Sequence, residues 1–330
     1  MKAFVVSHYG PDGLQAADLP APEAGPNDVL VDVRAAGINP LDKLVRNGEF
    51  KHLLKYTRPF VLGHDVSGVV TKVGADVHGF AVGDEVYARP RDLRIGTFAE
   101  TISIDATDVA LKPASLSFEE AAAVPLVGLA AWQALVEVAA VQPGQKVLVH
   151  AGAGGLGSTV IQVAKHLGAH VATTAHASDV DKVLALGADE VIDFTQQDFA
   201  DVLSGYDVVL DSLGLASLEK SLTVLKHGGL AISVVGPPDP GFATQLGRPL
   251  LKPVMAVLSR KIRRRARKLG VRYSFFFMRA SGAQLTKLGA LYDSGSLRPV
   301  LDRVFPFDRT LDAMAYVEQG KANGKIVVTR

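Results

Sequence analysis

The 330-residue chain contains no cysteine. Disulfide bridges, a thiolate nucleophile and any metal site built on thiolates are therefore excluded. No apolar run is long enough to span a bilayer. The opening Met1-Lys-Ala-Phe-Val-Val6 reads as a strand, without the charged and apolar regions of a secretion signal. Neither charge is in surplus: 35 Lys and Arg against 34 Asp and Glu give a net charge of +1, so the overall balance predicts no acidic partner. These absences leave a soluble, cytoplasmic globular protein as the expectation. At this length two domains are expected rather than one core.

The most informative stretch that is present is Lys146-Val-Leu-Val-His-Ala-Gly-Ala-Gly-Gly-Leu-Gly157. It reads as a buried strand and a glycine turn, followed by an amphipathic helix over 158–168 and a second strand at His170-Val-Ala-Thr-Thr-Ala175. The glycines fall as G-x-G-x-x-G at Gly152, Gly154 and Gly157, with Gly155 in addition. The first suits a tight turn. The second lets backbone N–H groups approach a pyrophosphate, and the third lets the helix pack closely on its strand. A glycine pattern alone is weak evidence. Here strand, helix and second strand stand at the expected spacing, which favours dinucleotide binding over a bare packing turn.

NAD sites carry an acid about 20 residues beyond the glycines, where it holds the ribose hydroxyls. This chain has Thr173, Thr174, Ala175 and His176 there, and its first acid is Asp179. A carboxylate facing a 2′-phosphate would repel it by about 3 kcal/mol at ~5 Å and an effective dielectric of ~20. Its absence permits NADPH. Thr174, His176, Ser178 and Lys182 are the groups available to the extra phosphate, although the same residues also fit a solvated loop entering the next helix.

Residues 1–118 read as β-rich, with short strands at 29–33, 68–73, 83–87 and 98–104 separated by glycine turns such as Gly74 and Gly79. Ser117-Phe-Glu-Glu120 resembles a capping box opening an alanine-rich helix over 119–124, and a further helix is expected over 130–138. Strand–helix alternation then runs from 146 through strands at 190–193, 207–211 and 229–235. That order predicts an α/β fold with a doubly wound parallel sheet covered on both faces. Basic Ser259-Arg-Lys-Ile-Arg-Arg-Arg-Ala-Arg-Lys268 follows, with Val254, Leu258 and Ile262 spaced for an amphipathic helix over 253–268. A solvated basic face over the fold is one reading. Contact with an anionic membrane, or with nucleic acid, through Arg260, Arg263, Arg264 and Arg265 is another, which would make the chain a nucleotide-regulated binding or scaffold protein. An aromatic strand is expected over 272–278, and Tyr273 to Phe277 would suit either a homodimer or an intramolecular edge.

Together these residues resemble the medium-chain dehydrogenase/reductase superfamily, in its zinc-independent quinone oxidoreductase (zeta-crystallin-like) branch. The markers are Ala35-Ala-Gly-Ile-Asn-Pro-Leu-Asp42, Pro59-Phe-Val-Leu-Gly-His-Asp-Val-Ser-Gly68, Gly83-Asp-Glu-Val86, Ala121-Ala-Ala-Val-Pro-Leu126, Leu186-Gly-Ala-Asp-Glu-Val-Ile-Asp193 and Gly324-Lys-Ile-Val-Val328. The resemblance implies a GroES-like β-rich catalytic domain at 1–118 and 283–330, with a Rossmann domain at 119–282 inserted in it. Substrate and nicotinamide would meet in the cleft. In the zinc relatives a Cys stands where this chain has Asn39, and only His64 of the ligand set persists. One imidazole cannot hold zinc, so no metal is expected.

The reaction implied is hydride transfer from NADPH to a quinone or an activated enone, with a 2-alkenal or enoyl reductase as the alternative. Such acceptors delocalise the incoming charge, so orientation and exclusion of water do most of what the protein must do. The resemblance places Asn39, Phe60, His64 and Val127 in the pocket, with no catalytic acid identified. Some relatives carry Tyr where Phe60 stands and Thr where Val127 stands. Around the cofactor it places Asn39, Gly152, Ala153, Gly154, Gly155, Leu156, Gly157, Phe194, Leu213, Gly214, Val235, Gly236, Phe276, Phe277, Met278 and Lys325.

Overall fold

Short runs rich in Val and Ile, broken by Gly and Pro, make the first part of the chain a set of strands. In order these are β1 (Lys2–Val6), β2 (Leu14–Asp18), β3 (Asp28–Ile38), the helix α1 (Pro40–Arg46), β4 (Phe60–Val61), β5 (Asp65–Val73), β6 (Glu85–Ala88), β7 (Thr101–Asp105) and β8 (Val109–Leu111). The computed structural model describes residues 1–330. It divides them into one unit of Met1–Leu129 with Arg279–Arg330 and a second of Ala130–Met278.

Within the first unit, β1 lies between β2 and β4, and β3 pairs antiparallel with both β5 and β7. Helix α2 (Phe118–Ala122) opens with the Ser117–Glu120 capping box and stays with this unit. Its Ala122 and the following Ala123 pack on Ala35 and Val327, and Ser67 Oγ donates to Phe118 O. A Cβ on Gly37 would stand 2.4 Å from Ala122 O, so only glycine allows helix and strand this close. That packing is why the unit runs to Leu129 rather than ending at 118.

Helix α3 (Pro125–Trp132) leads into a π-helical turn, Gln133–Val138, where one α-helix over 130–138 is expected from sequence. The second unit then alternates β9 (Lys146–Val149), α4 (Gly155–His166), β10 (His170–Ala175), α5 (Val180–Ala185), β11 (Glu190–Asp193), α6 (Phe199–Val202), β12 (Tyr206–Asp211), α7 (Leu215–Val224) and β13 (Leu225–Ser233). Helices α8 (Pro240–Gln245), α9 (Lys252–Leu258) and α10 (Arg260–Lys268) precede the edge strand β14 (Arg272–Phe275). The sheet order is β11-β10-β9-β12-β13-β14, with every pair parallel. This is the doubly wound arrangement, and its order reverses between β9 and β12. Val147, Leu148 and Val149 are fully buried, as a central parallel strand requires.

The helix expected over 253–268 is in two segments, and the strand expected to reach 278 ends at Phe275. Phe275 and Phe277 both pack on Phe242, with ring centroids 4.9 and 5.6 Å apart. The chain returns to the first unit through α11 (Gly282–Asp293), β15 (Leu301–Pro306), α12 (Thr310–Glu318) and β16 (Lys325–Thr329), which pairs with β3. No helix is long and apolar enough to cross a membrane.

Candidate functional site

The glycine loop leaves β9 at the point where the sheet order reverses, where open parallel sheets bind ligands beyond the carboxyl ends of their strands. Its backbone is held by contacts that no side chain would tolerate. A Cβ on Gly152 would stand 2.1 Å from Thr173 Oγ1, and one on Gly157 would stand 2.2 Å from Ala151 O. Gly154 is the N-cap of α4 and brings no side-chain cap, so the N–H groups of the first helical turn stay open to an incoming acceptor. Together with the helix dipole this makes an anion cradle, and a dinucleotide pyrophosphate fits it.

A chain of hydrogen bonds fixes the loop from behind. Ala151 N–H donates to Thr174 Oγ1 at 3.1 Å, and Thr174 Oγ1 meets His150 Nδ1 at 3.2 Å. His150 Nε2 lies 2.8 Å from Ser221 Oγ, and Ser221 Oγ donates to Ser217 O at 2.8 Å. Because the Ser221 proton is given to Ser217, Nε2 must be the protonated ring nitrogen, and Nδ1 accepts from Thr174. The imidazole is thus neutral and held in one tautomer. Burial pushes its pKa down to about 4.

The pH consequence has a definite sign. Between pH 6.5 and about 4 the unfolded chain takes up a proton at His150 that the folded chain refuses, so stability held above pH 6.5 falls as pH drops, by about 3 kcal/mol. Asp211 acts oppositely: burial raises its carboxyl pKa, so acid favours the folded state through that group. Urea unfolding at both ends of this window is expected to show the acid loss in the parent chain. His150→Asn is expected to flatten it.

The loops predicted to touch the cofactor lie at the same carboxyl edge. Asp211, at the end of β12, accepts from Ser233 Oγ at 2.8 Å and from Leu213 N–H at 3.4 Å. Ser233 Oγ in turn accepts from Gly236 N–H at 2.8 Å. The turns at Leu213–Gly214 and Val235–Gly236 are therefore tied to one another. Phe194, Leu213 and Val235 expose large apolar surface there, at 60, 57 and 48%. His176 and Phe194 meet edge to face with centroids 6.2 Å apart, His176 Nδ1 contacts Ser178 Oγ at 2.9 Å, and Lys182 Nζ reaches Ala153 O at 3.4 Å.

Three expectations change. Thr174 is buried, and its hydroxyl is engaged with Ala151 and His150, so it is not free for a 2′-phosphate. Phe276 and Met278 are buried rather than open, and only Phe277 of that trio is half-exposed. Lys325, placed around the cofactor by the resemblance, is buried and pairs with a buried acid instead.

That pairing belongs to a polar network inside the first unit. Lys325 Nζ donates to Asn39 Oδ1 and, at 3.0 Å, to Asp65 Oδ2. Asn39 Nδ2 donates to the same Asp65 oxygen at 2.9 Å, and Leu126 N–H donates to Asp65 Oδ1 at 2.7 Å. Asn39 N–H caps onto Asp42 Oδ2 at 2.7 Å, while Asp42 Oδ1 holds His64 Nδ1 at 2.6 Å. His64 is fully buried and its Nε2 has no partner. Phe60 stacks on Tyr56 with centroids 4.6 Å apart, which brings a phenol beside the Phe60 ring. Burial raises the pKa of Tyr56, so it stays protonated at neutral pH. Val127 is buried in α3.

Asp65, His150 and Asp211 were missed from sequence. Each is a polar residue beside or within a Val- and Leu-rich run, and that was the available signal. Around His64 the oxygens of Asn39, Asp42 and Asp65 are engaged with protein partners, and no group of three or more His, Asp or Glu is arranged to hold a metal ion. This donor set does not fit zinc.

Comparison with known proteins agrees with this geometry. A family model described as alcohol dehydrogenase GroES-like domain matches residues 25–114, and one described as zinc-binding dehydrogenase matches 186–328. The chain is 36% identical over 341 residues to 2-methylene-furan-3-one reductase of Solanum lycopersicum, covering 99% of this chain and 79% of that one. It is equally similar, over the same shares, to NADPH-dependent alkenal/one oxidoreductase, chloroplastic, of Arabidopsis thaliana. Among solved structures, the quinone oxidoreductase from Coxiella burnetii superposes with a TM-score of 0.87 at 31% identity, over 100% of this chain and 99% of that one. The Escherichia coli quinone oxidoreductase complexed with NADPH gives 0.83 at 25% identity, over 100% of both chains.

Proposed function

Since the chain belongs to the medium-chain dehydrogenase/reductase superfamily, in its zinc-independent quinone oxidoreductase-like branch, we propose that it is an NADPH-dependent reductase of quinones and activated enones. The observation that carries this reading is the glycine cradle at the switch point of the parallel sheet, where the first turn of α4 has open N–H groups and Gly152 and Gly157 leave no room for a Cβ. Gly152, Ala153, Gly154, Gly155, Leu156 and Gly157 hold the pyrophosphate. Leu213, Gly214, Val235 and Gly236 line the edge beyond it, and His176 and Phe194 flank the adenine. When bound, NADPH supplies a hydride.

The chain's own residues do the rest. Asp211 and Ser233 fix the loops that orient the nucleotide. His64, aligned through Nδ1 by Asp42 and with no protein partner at Nε2, is assigned the delivery of the proton that completes reduction of the acceptor. An acceptor conjugated to a carbonyl needs no cation to take up negative charge, which suits a site whose donors do not fit zinc.

Lys182 and Ser178 are assigned the 2′-phosphate. Lys182→Gln is expected to raise the NADPH dissociation constant about tenfold, the value of one partly exposed charge-assisted contact, and to leave NADH binding nearly unchanged. Fluorescence titration with both nucleotides measures this. Equal losses for the two would remove Lys182 from the phosphate site, and tighter binding of NADH by the parent chain would overturn the cofactor assignment.

A further inference from the structure

The largest charge asymmetry of the molecule lies in the second unit. From residue 240 to residue 278 the chain has ten Lys and Arg and no Asp or Glu, although the whole protein is nearly neutral. α9 and α10 bury one stripe, Met255, Ser259, Ile262 and Ala266. The spacing is that of a single helix face, and the Ser259 N–H to Met255 O and Arg263 N–H to Ser259 O bonds, both 3.0 Å, carry the ladder across the joint.

The opposite face is apolar at one end and basic at the other. Leu250 is 91% exposed, Val257 72%, Leu258 57% and Val254 56%. Arg260, Arg264, Arg267 and Lys268 are also exposed and have no acidic partner. Lys261 and Arg265 are engaged with Glu219, at 2.8 and 3.5 Å, which removes Arg265 from the contact set expected from sequence. Arg263 and Arg267 join Arg272 along an open groove of about 440 Å³ that Val138, Val271 and Tyr273 share.

Exposed aliphatic side chains beside unpaired guanidinium groups match an interface that offers phosphates and hydrocarbon together. A nucleic acid would leave the aliphatic residues in water, and no aromatic side chain lies between Phe242 and Tyr273 to stack on bases. We propose that the α9–α10 face docks this protein on the surface of an anionic phospholipid membrane, with Leu250, Val254, Val257 and Leu258 entering the interface and the arginines on the lipid phosphates. This docking is independent of the reaction proposed above.

Co-sedimentation of the full chain with phosphatidylcholine vesicles, with and without phosphatidylserine, tests it. Binding is expected only with phosphatidylserine and is expected to weaken with salt. The quadruple variant R260Q/R264Q/R267Q/K268Q is expected to lose at least about a hundredfold in partitioning, at roughly fivefold per charge. L250S/V257S, which keeps every charge, is expected to lose about tenfold or more. Both variants alter exposed side chains, so melting temperature and NADPH oxidation should match the parent. Equal binding to neutral vesicles would overturn the proposal. So would unchanged vesicle binding by L250S/V257S, RNA binding strong enough to displace the vesicles, or a dimer that L250S/V257S dissolves.

Discussion

Replacing Lys325 by Met is expected to lower the free energy of unfolding by about 3–5 kcal/mol, the cost of stranding a buried charge. The ammonium lies between Asn39 Oδ1 and Asp65 Oδ2, with Lys325 5% exposed and Asp65 0%. Without it the Asp65 carboxylate keeps only the Leu126 N–H and the Asn39 amide as donors. Neither carries charge. The double variant D65N/K325M removes both charges and is expected to recover a large part of the loss, so a double-mutant cycle in urea should report strong coupling. Additive single effects would show that the two side chains do not share a network. The same cycle separates architecture from chemistry, because the network ties β16 to the turn before α1 and to α3 within one unit.

Removing the His64 imidazole is expected to have the largest kinetic effect. His64→Asn keeps an amide near the position of Nδ1, toward Asp42, but has no ring nitrogen at the position of Nε2 and cannot transfer a proton there. Reduction of an enone leaves an enolate that must be protonated at carbon, which is slow without a placed donor. A reduced quinone exchanges protons on oxygen with water unaided. The variant is therefore expected to lose about 10²–10³-fold in kcat with 2-alkenals and enones, the usual worth of a positioned acid. With quinones it should lose less than about tenfold. NADPH affinity should be unchanged, because the side-chain bond of His64 is to Asp42 and to no residue of the cradle. Equal losses for both acceptor classes would assign His64 a structural role. No loss with either would remove it from the reaction.

How much of this was legible in the chain depends on the range of the interaction concerned. The strand–glycine–helix–strand sequence from Lys146 to Ala175 is local, and the structure has it there, with α4 beginning at Gly155. The carboxyl edge of the sheet was legible too, because parallel strands bring those ends together and Leu213, Gly214, Val235 and Gly236 follow β12 and β13 directly. What sequence could not give was the use made of each polar side chain. Thr174 read as a phosphate ligand because it stands at the right distance from the glycines. Its hydroxyl instead satisfies the N–H of the strained residue Ala151, at φ 52°. Lys325 read as a cofactor residue because its partners, Asp65 and Asn39, lie 260 and 286 residues away. The domain boundary shifted for the same reason: α2 looks like the start of the inserted unit until Gly37 and Ala35 are seen to accept its alanine face.

This chain moves a hydride from NADPH to an acceptor already activated by conjugation. NADPH consumption by the purified protein, followed by absorbance across a panel of quinones, conjugated enones, 2-alkenals and simple alcohols, tests this. Turnover is expected with the first three classes, and no reduction of NADP⁺ by the alcohols. Robust alcohol oxidation with quinones and enones left untouched would contradict it.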